Sequence, residues 1–129
     1  FSCIDSLMEE ISDCRIKIVD IHAEATAEKL AMGFYLDGKA TAVVGTHTHV
    51  QTADEKVLPG GTAYITDLGM TGPELSVLGV RPEASISWLK TGLPTRFEIS
   101  GGACMMCGVI IDVDEKTGKS RSIERICVR

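Results

Sequence analysis

Arg15–Ile21 (RIKIVDI), Ala23–Leu36 and Ala40–Gly45 (ATAVVG) are the stretches whose reading decides the fold. The first and last are short, mostly apolar and rich in β-branched residues, as strands buried on both faces are. Between them the residues favour helix, with Ala27, Leu30, Ala31 and Phe34 on one face, and Asp37-Gly38-Lys39 closes the segment with turn chemistry. Towards the start, Ile4, Leu7, Met8 and Ile11 repeat at the spacing of an amphipathic helix, with Glu9, Glu10 and Asp13 on its other side. Helix, strand, helix, strand in that order predicts parallel strands joined by crossover helices.

Towards the end, Pro59-Gly60-Gly61 makes a turn and Thr62–Thr66 a third strand. Asp67–Pro73 reads as loop from its glycines and proline, and Pro82 suits the first turn of a helix running to about Lys90. The last third changes character. Thr95–Ser100, Ala103–Val113 and Ser120–Val128 are strand-like, joined by Gly101-Gly102 and by Glu115-Lys116-Thr117-Gly118. The expected fold class is α/β, with parallel strands followed by an antiparallel C-terminal meander.

The 129 residues, 44% hydrophobic and 24% charged, suit one folded domain. With 13 Lys+Arg against 18 Asp+Glu the net charge is −5, which argues against an extended nucleic-acid surface or an anionic-membrane surface. A small phosphorylated ligand stays compatible, because metal ions can supply positive charge. No apolar run approaches the roughly 20 residues of a membrane span, and no leader pattern opens the chain. The chain starts on Phe1 with helical pattern almost at once, which reads as processing or as part of something longer.

The five cysteines are odd in number and unevenly spaced, so a disulfide framework is not expected and a cytoplasmic location is. Cys104-Met105-Met106-Cys107 is formally a CxxC, but a zinc ribbon needs a second pair. On a strand, residues three apart point to opposite faces, so the two thiols read as small hydrophobes rather than ligands.

The chain's three histidines all follow strands: His22 after RIKIVDI, His47 and His49 after ATAVVG. Ligands of open α/β sheets bind at the carboxyl ends of strands. If the HTH segment His47-Thr48-His49 is extended, His47 and His49 project to the same side. Neutral imidazoles there suit zinc, iron, manganese or cobalt. A satisfied polar residue or an exposed pair of loop histidines is the plainer alternative. A two-metal site also needs oxygen ligands, for which Asp20, Glu24, Asp54 and Asp67 are the nearby candidates. Glu24 equally suits a helix start, and Asp54 and Glu55 read most simply as solvated loop charges. No Ser/His/Asp or Cys/His nucleophile set is recognisable, and Gly69–Pro73 has the wrong spacing for a nucleotide-binding glycine loop.

Three blocks, Asp20–Lys29 (DIHAEATAEK), Ala42–Asp54 (AVVGTHTHVQTAD) and Gly61–Pro73 (GTAYITDLGMTGP), resemble successive blocks of the YmdB-type metallophosphoesterases of the calcineurin-like superfamily. The resemblance runs from about Ile16 to the end. It implies an αββα sandwich, of which residues 1–129 are the C-terminal half of a single domain. It implies that His22, His47 and His49 are ligands of a centre of two divalent or mixed-valence metal ions, iron first and manganese as the alternative. The implied activity is hydrolysis of 2′,3′-cyclic nucleotides by a hydroxide activated at the two metals. The small phosphodiester is then the partner, with no membrane, and the full-length protein is expected to be a homo-oligomer.

Family members are about twice as long, and their first half carries the Asp, Glu and Asn ligands and the His that protonates the leaving oxygen. None of those blocks occurs here, so no catalytic residue is assigned to this chain and the chain alone is expected to be inactive. The family usually places an aromatic after Pro73, where this chain has Glu74, and CMMC has no counterpart. Two other classes are weighed beside this one: a self-contained mononuclear zinc hydrolase, and a non-catalytic α/β binding module.

Overall fold

The structure, a computed structural model, describes residues 1–129. Its elements in chain order are α1 (Ser2–Glu10), β1 (Ile18–His22), α2 (Thr26–Tyr35), β2 (Ala42–Thr46), β3 (Lys56–Val57), β4 (Ala63–Ile65), β5 (Thr71–Pro73), α3 (Pro82–Thr91), β6 (Cys104–Val113) and β7 (Ser120–Val128). They build two sheets. The first has the order β1-β2-β4-β3, parallel except for β3, and the second is the antiparallel meander β5-β6-β7. No helix is long and apolar enough to cross a membrane.

The parallel strands form where the apolar, β-branched runs lie, and β2 and β4 are buried on both faces except at Thr46. Val19, Val43 and Tyr64 lie in register across three strands. Val43 and Tyr64 join Leu36, Ala40 and Leu58 in the core, against which Ile4 and Met8 of α1 and Leu30 of α2 pack. Gly33 lets α2 approach the sheet, since a Cβ there would meet the Tyr64 ring at 2.5 Å. A Cβ on Gly45 would fall inside the Thr66 carbonyl oxygen, so β2 needs glycine there to lie beside the chain leaving β4.

Of the apolar stripe expected on α2, only Leu30 packs against the core. Lys29 and Gly33 are the buried residues of this helix, whereas Ala27, Ala31 and Phe34 are exposed. An ion pair formed by Lys29 and the ring contact at Gly33 set the rotation of the helix, and neither carries an apolar signal. Two loop-and-strand expectations are also corrected. Part of Asp67–Pro73 is strand β5, with Pro73 tolerated because β5 is an edge strand. Thr95–Ser100 forms no strand: only Ile99 bridges, to Val80, and this segment lies largely exposed. The meander is therefore completed by β5.

Candidate functional site

The parallel register brings the ends of β1 and β2 level, with His22 opposite Thr46. His22 closes β1 and His47 follows β2, so the fold places both at the carboxyl edge of the sheet, where the sequence put them. Their rings meet edge-on, with centroids 5.0 Å apart, and His47 Nδ1 lies 3.1 Å from His22 Nε2.

The neighbours decide which nitrogen carries the proton. Thr46 Oγ1 donates its only proton to Asp20 Oδ1 at 3.0 Å. The 3.1 Å contact between Thr46 Oγ1 and His22 Nδ1 then requires Nδ1–H as donor. In the neutral ring this leaves the lone pair on Nε2, aimed at His47. Imidazoles that bind metals are commonly oriented in this way by a second hydrogen bond. Two nitrogen ligands at the usual 2.0–2.1 Å from one ion stand about 2.9–3.4 Å apart in octahedral or tetrahedral geometry. In this structure His47 Nδ1–H donates to His22 Nε2. The separation falls inside the ligand range, so with a cation in place of that proton the pair would fit two adjacent ligands.

The third histidine behaves differently. β2 ends at Thr46, and His47–His49 is not extended: His47 and His49 have φ of 123° and 64°. The extended geometry on which the expected same-side projection depended is therefore not met, and His49 makes no hydrogen bond to the other two. No group of three or more His, Cys, Asp or Glu side chains in this chain is arranged to hold a metal ion.

The candidate oxygen ligands sort into different roles. Asp20 reaches His22 through Thr46. Glu24 is exposed and precedes Ala25, the N-cap of α2, so the helix-start role falls to Glu28 instead. Asp67 is fully buried and pairs with the equally buried Lys29 at 3.3 Å. It also accepts from the backbone N–H of Thr48 at 2.8 Å and of Gly69 at 2.9 Å. Burial pushes its carboxyl up, but these donors and Lys29 outweigh burial and hold it below the usual carboxylate range. Asp67 is therefore the post that fixes the turn between His47 and His49. Lys29 completes it by donating to the Thr46 carbonyl at 3.1 Å.

Asp54 is no free loop charge either. Half-buried, it accepts from Thr52 Oγ1 at 2.6 Å and from both the N–H and the hydroxyl of Thr66. Burial raises its carboxyl, yet these hydrogen bonds win and the net shift is downward. Glu55 is held by Arg125 at 2.7 Å, which lowers its carboxyl and ties the loop to β7. Thr46 and Lys29 are the site residues that the sequence alone did not single out. A threonine level with a strand-end histidine was the available signal for the first. Nothing in the sequence marks a lysine on a helix as fully buried.

Comparison with known proteins gives this geometry its context. The family described as YmdB-like protein matches residues 1–126. A 2′,3′-cyclic-nucleotide 2′-phosphodiesterase of Bacillus subtilis (strain 168) is 58% identical over 110 residues, which are 85% of this chain and 42% of that protein. A solved structure of a novel phosphatase from Mycoplasma pneumoniae superposes with a TM-score of 0.92 at 42% identity, covering 98% of this chain and 45% of that one. A hypothetical protein from Thermus thermophilus gives 0.89 at 40% identity, over 96% of this chain and 48% of that one. The chain thus spans a little under half the length of these relatives. By a match that covers nearly all of its residues, it belongs to the YmdB-like protein family.

Proposed function

We propose that this chain supplies the histidine side of a metal-dependent phosphodiesterase site for 2′,3′-cyclic nucleotides, as the C-terminal half of a metallophosphoesterase domain. His22, His47 and His49 are the ligands in this reading. The observation that carries it is the 3.1 Å meeting of His22 Nε2 and His47 Nδ1, with the His22 lone pair turned towards His47 by Thr46 and Asp20. The relative named as a 2′,3′-cyclic-nucleotide 2′-phosphodiesterase, at 58% identity, supports the substrate class.

The centre takes two ions, iron first and manganese as the alternative, and the oxygen ligands come from residues outside this chain. Metal ions there supply Lewis-acid charge that activates water and offsets the charge of the phosphate. The chain's own residues do the positioning. Thr46 passes the Asp20 carboxylate's pull to His22, holding its tautomer and ring plane. Asp67, locked by Lys29, holds the Thr48 N–H and so the backbone between His47 and His49. A self-contained zinc site would need three protein ligands in one place, and only two imidazoles meet here.

The test uses the full-length polypeptide that carries this chain, with His47→Ala and Thr46→Val versions beside it. Bound metal and hydrolysis of 2′,3′-cyclic AMP are measured in the same samples with iron(II) or manganese. The expected result is metal-dependent turnover, with metal and activity both lost in His47→Ala. Thr46→Val should lower metal affinity by about 10–100-fold, as loss of an orienting partner does. Full metal content and activity in His47→Ala would remove the ligand assignment, and metal without turnover would overturn the substrate.

A further inference from the structure

β6 and β7 carry a second pair of chemically reactive side chains outside the histidine site. Cys107 and Cys127 are directly opposite in the antiparallel register, and their sulfurs lie 3.7 Å apart. The Cys107 N–H donates to the Met70 carbonyl at 3.1 Å, on the side of β5. In an antiparallel strand a residue's N–H and C=O point to the same side, so Cys107 faces β7 as a non-hydrogen-bonded position. Such pairs have the closest Cα atoms in a sheet, about 4.5 Å, which lies inside the 4.4–6.8 Å that a disulfide spans. Forming the bond, about 2.05 Å long, requires side-chain rotation that closes the 3.7 Å between the sulfurs.

From this geometry we infer that Cys107 and Cys127 form an intramolecular disulfide by exchange with an external low-molecular-weight disulfide. Cys127 is exposed and Cys107 half-buried, which sets the order of the steps. The Cys127 thiolate attacks the external disulfide, forming a mixed disulfide and releasing one thiolate. The Cys107 thiolate then attacks the Cys127 sulfur, and the second external thiolate leaves. The two protein thiols are oxidised, the external disulfide is reduced to two thiols, and the protons pass to the leaving thiolates. Burial and the neighbouring Cys127 push the Cys107 thiol up, consistent with its role as the second, resolving sulfur.

Cys104 provides the internal control. It shares the CxxC spacing, but its sulfur hydrogen-bonds to the Gly102 carbonyl, at 3.9 Å, and to no cysteine. The bond would also sit behind the histidine site: a Cβ on Gly69 would meet Cys107 Cβ at 2.9 Å, and Gly69 is held by Asp67.

The experiment incubates the native polypeptide with oxidised glutathione. It follows intact mass, alkylatable thiols and non-reducing peptide maps, with Cys104→Ser, Cys107→Ser and Cys127→Ser variants checked for folding by circular dichroism. The expected result, in the parent and in Cys104→Ser, is a Cys107–Cys127 linked peptide two hydrogens lighter than its two free halves. Cys107→Ser should instead trap glutathione on Cys127, and Cys127→Ser should form no internal link. The inference fails if Cys107 and Cys127 stay separately alkylatable once Cys3 and Cys14 have reacted. It also fails if the link found joins Cys104 or two chains.

Discussion

Asp67 shapes the histidine-bearing turn from inside the fold, through the Thr48 N–H. Its carboxylate and the Lys29 ammonium are both fully buried, so each is tolerable only because the other is there. Asp67→Asn leaves the ammonium buried without a counter-charge and is expected to cost about 3–5 kcal/mol, read from urea denaturation at neutral pH. The pH dependence has a definite sign. The folded carboxyl is held below its ordinary value of about 3.9, so it binds protons less readily than in the unfolded chain. Its contribution is therefore fully present above that ordinary value and is lost as pH falls through the lower, folded value. Denaturation of the two proteins between neutral pH and about pH 3 checks this. Their stability gap should be constant near neutrality and narrow below about pH 4, and a gap that widens there would contradict the assignment.

At the scale of elements, what could be read from sequence divides along a physical line. The parallel strands and the two long strands of the meander were legible from β-branched, strand-forming runs between turn residues, although only β2 and β4 are buried while β1 alternates between exposed and half-buried positions and β6 and β7 stay largely at the surface. α1 and α3 were legible from apolar periodicity and from Pro82 in a first turn. The histidines were legible by position, since strand ends and sheet edges coincide. Strand β5 was not, because its identity comes from pairing Thr71, Gly72 and Pro73 with Met106, Met105 and Cys104, a contact between distant segments. The true buried face of α2 was hidden for a similar reason, because its anchor is a charge pair 38 residues apart in sequence. Close approach is the other invisible term, and it yields a paired prediction. Gly33→Ala pushes against the Tyr64 ring, which can shift somewhat, and should cost about 1–3 kcal/mol as an overpacked core does. Gly45→Ala pushes against the backbone carbonyl of Thr66, which cannot shift without parting β2 from the chain after β4. It should cost more than Gly33→Ala, with urea midpoints ranked accordingly. The opposite ranking would mean that the ring, not the ladder, is the stiffer wall.

The whole molecule exposes 8130 Å², against about 6,600 Å² expected for a folded monomer of 13.8 kDa. The excess is apolar in places that matter. β1 ends one side of its sheet as an unpaired edge, and Ile18 on it is 65% exposed. Beside His22 a groove of about 460 Å³ is lined by Phe1, Ile21, Ala27, Ala31 and Met32. The relatives are about twice as long, so in this reading the remainder of a metallophosphoesterase domain covers that side and brings the oxygen ligands with it. An uncovered strand edge flanked by apolar side chains pairs with other copies. The 129-residue chain on its own is accordingly expected to self-associate at micromolar concentration, seen as a mass that rises with concentration in size-exclusion chromatography with light scattering. Ile18→Lys, which places a charge on the exposed edge without touching the core row of Val19, Val43 and Tyr64, should suppress it. The same preparation should bind iron or manganese weakly, since it brings imidazoles and no clustered carboxylates. A stable monomer that retains tight metal would mean that the edge needs no cover and that the histidines suffice alone, and the half-site reading would fall with it.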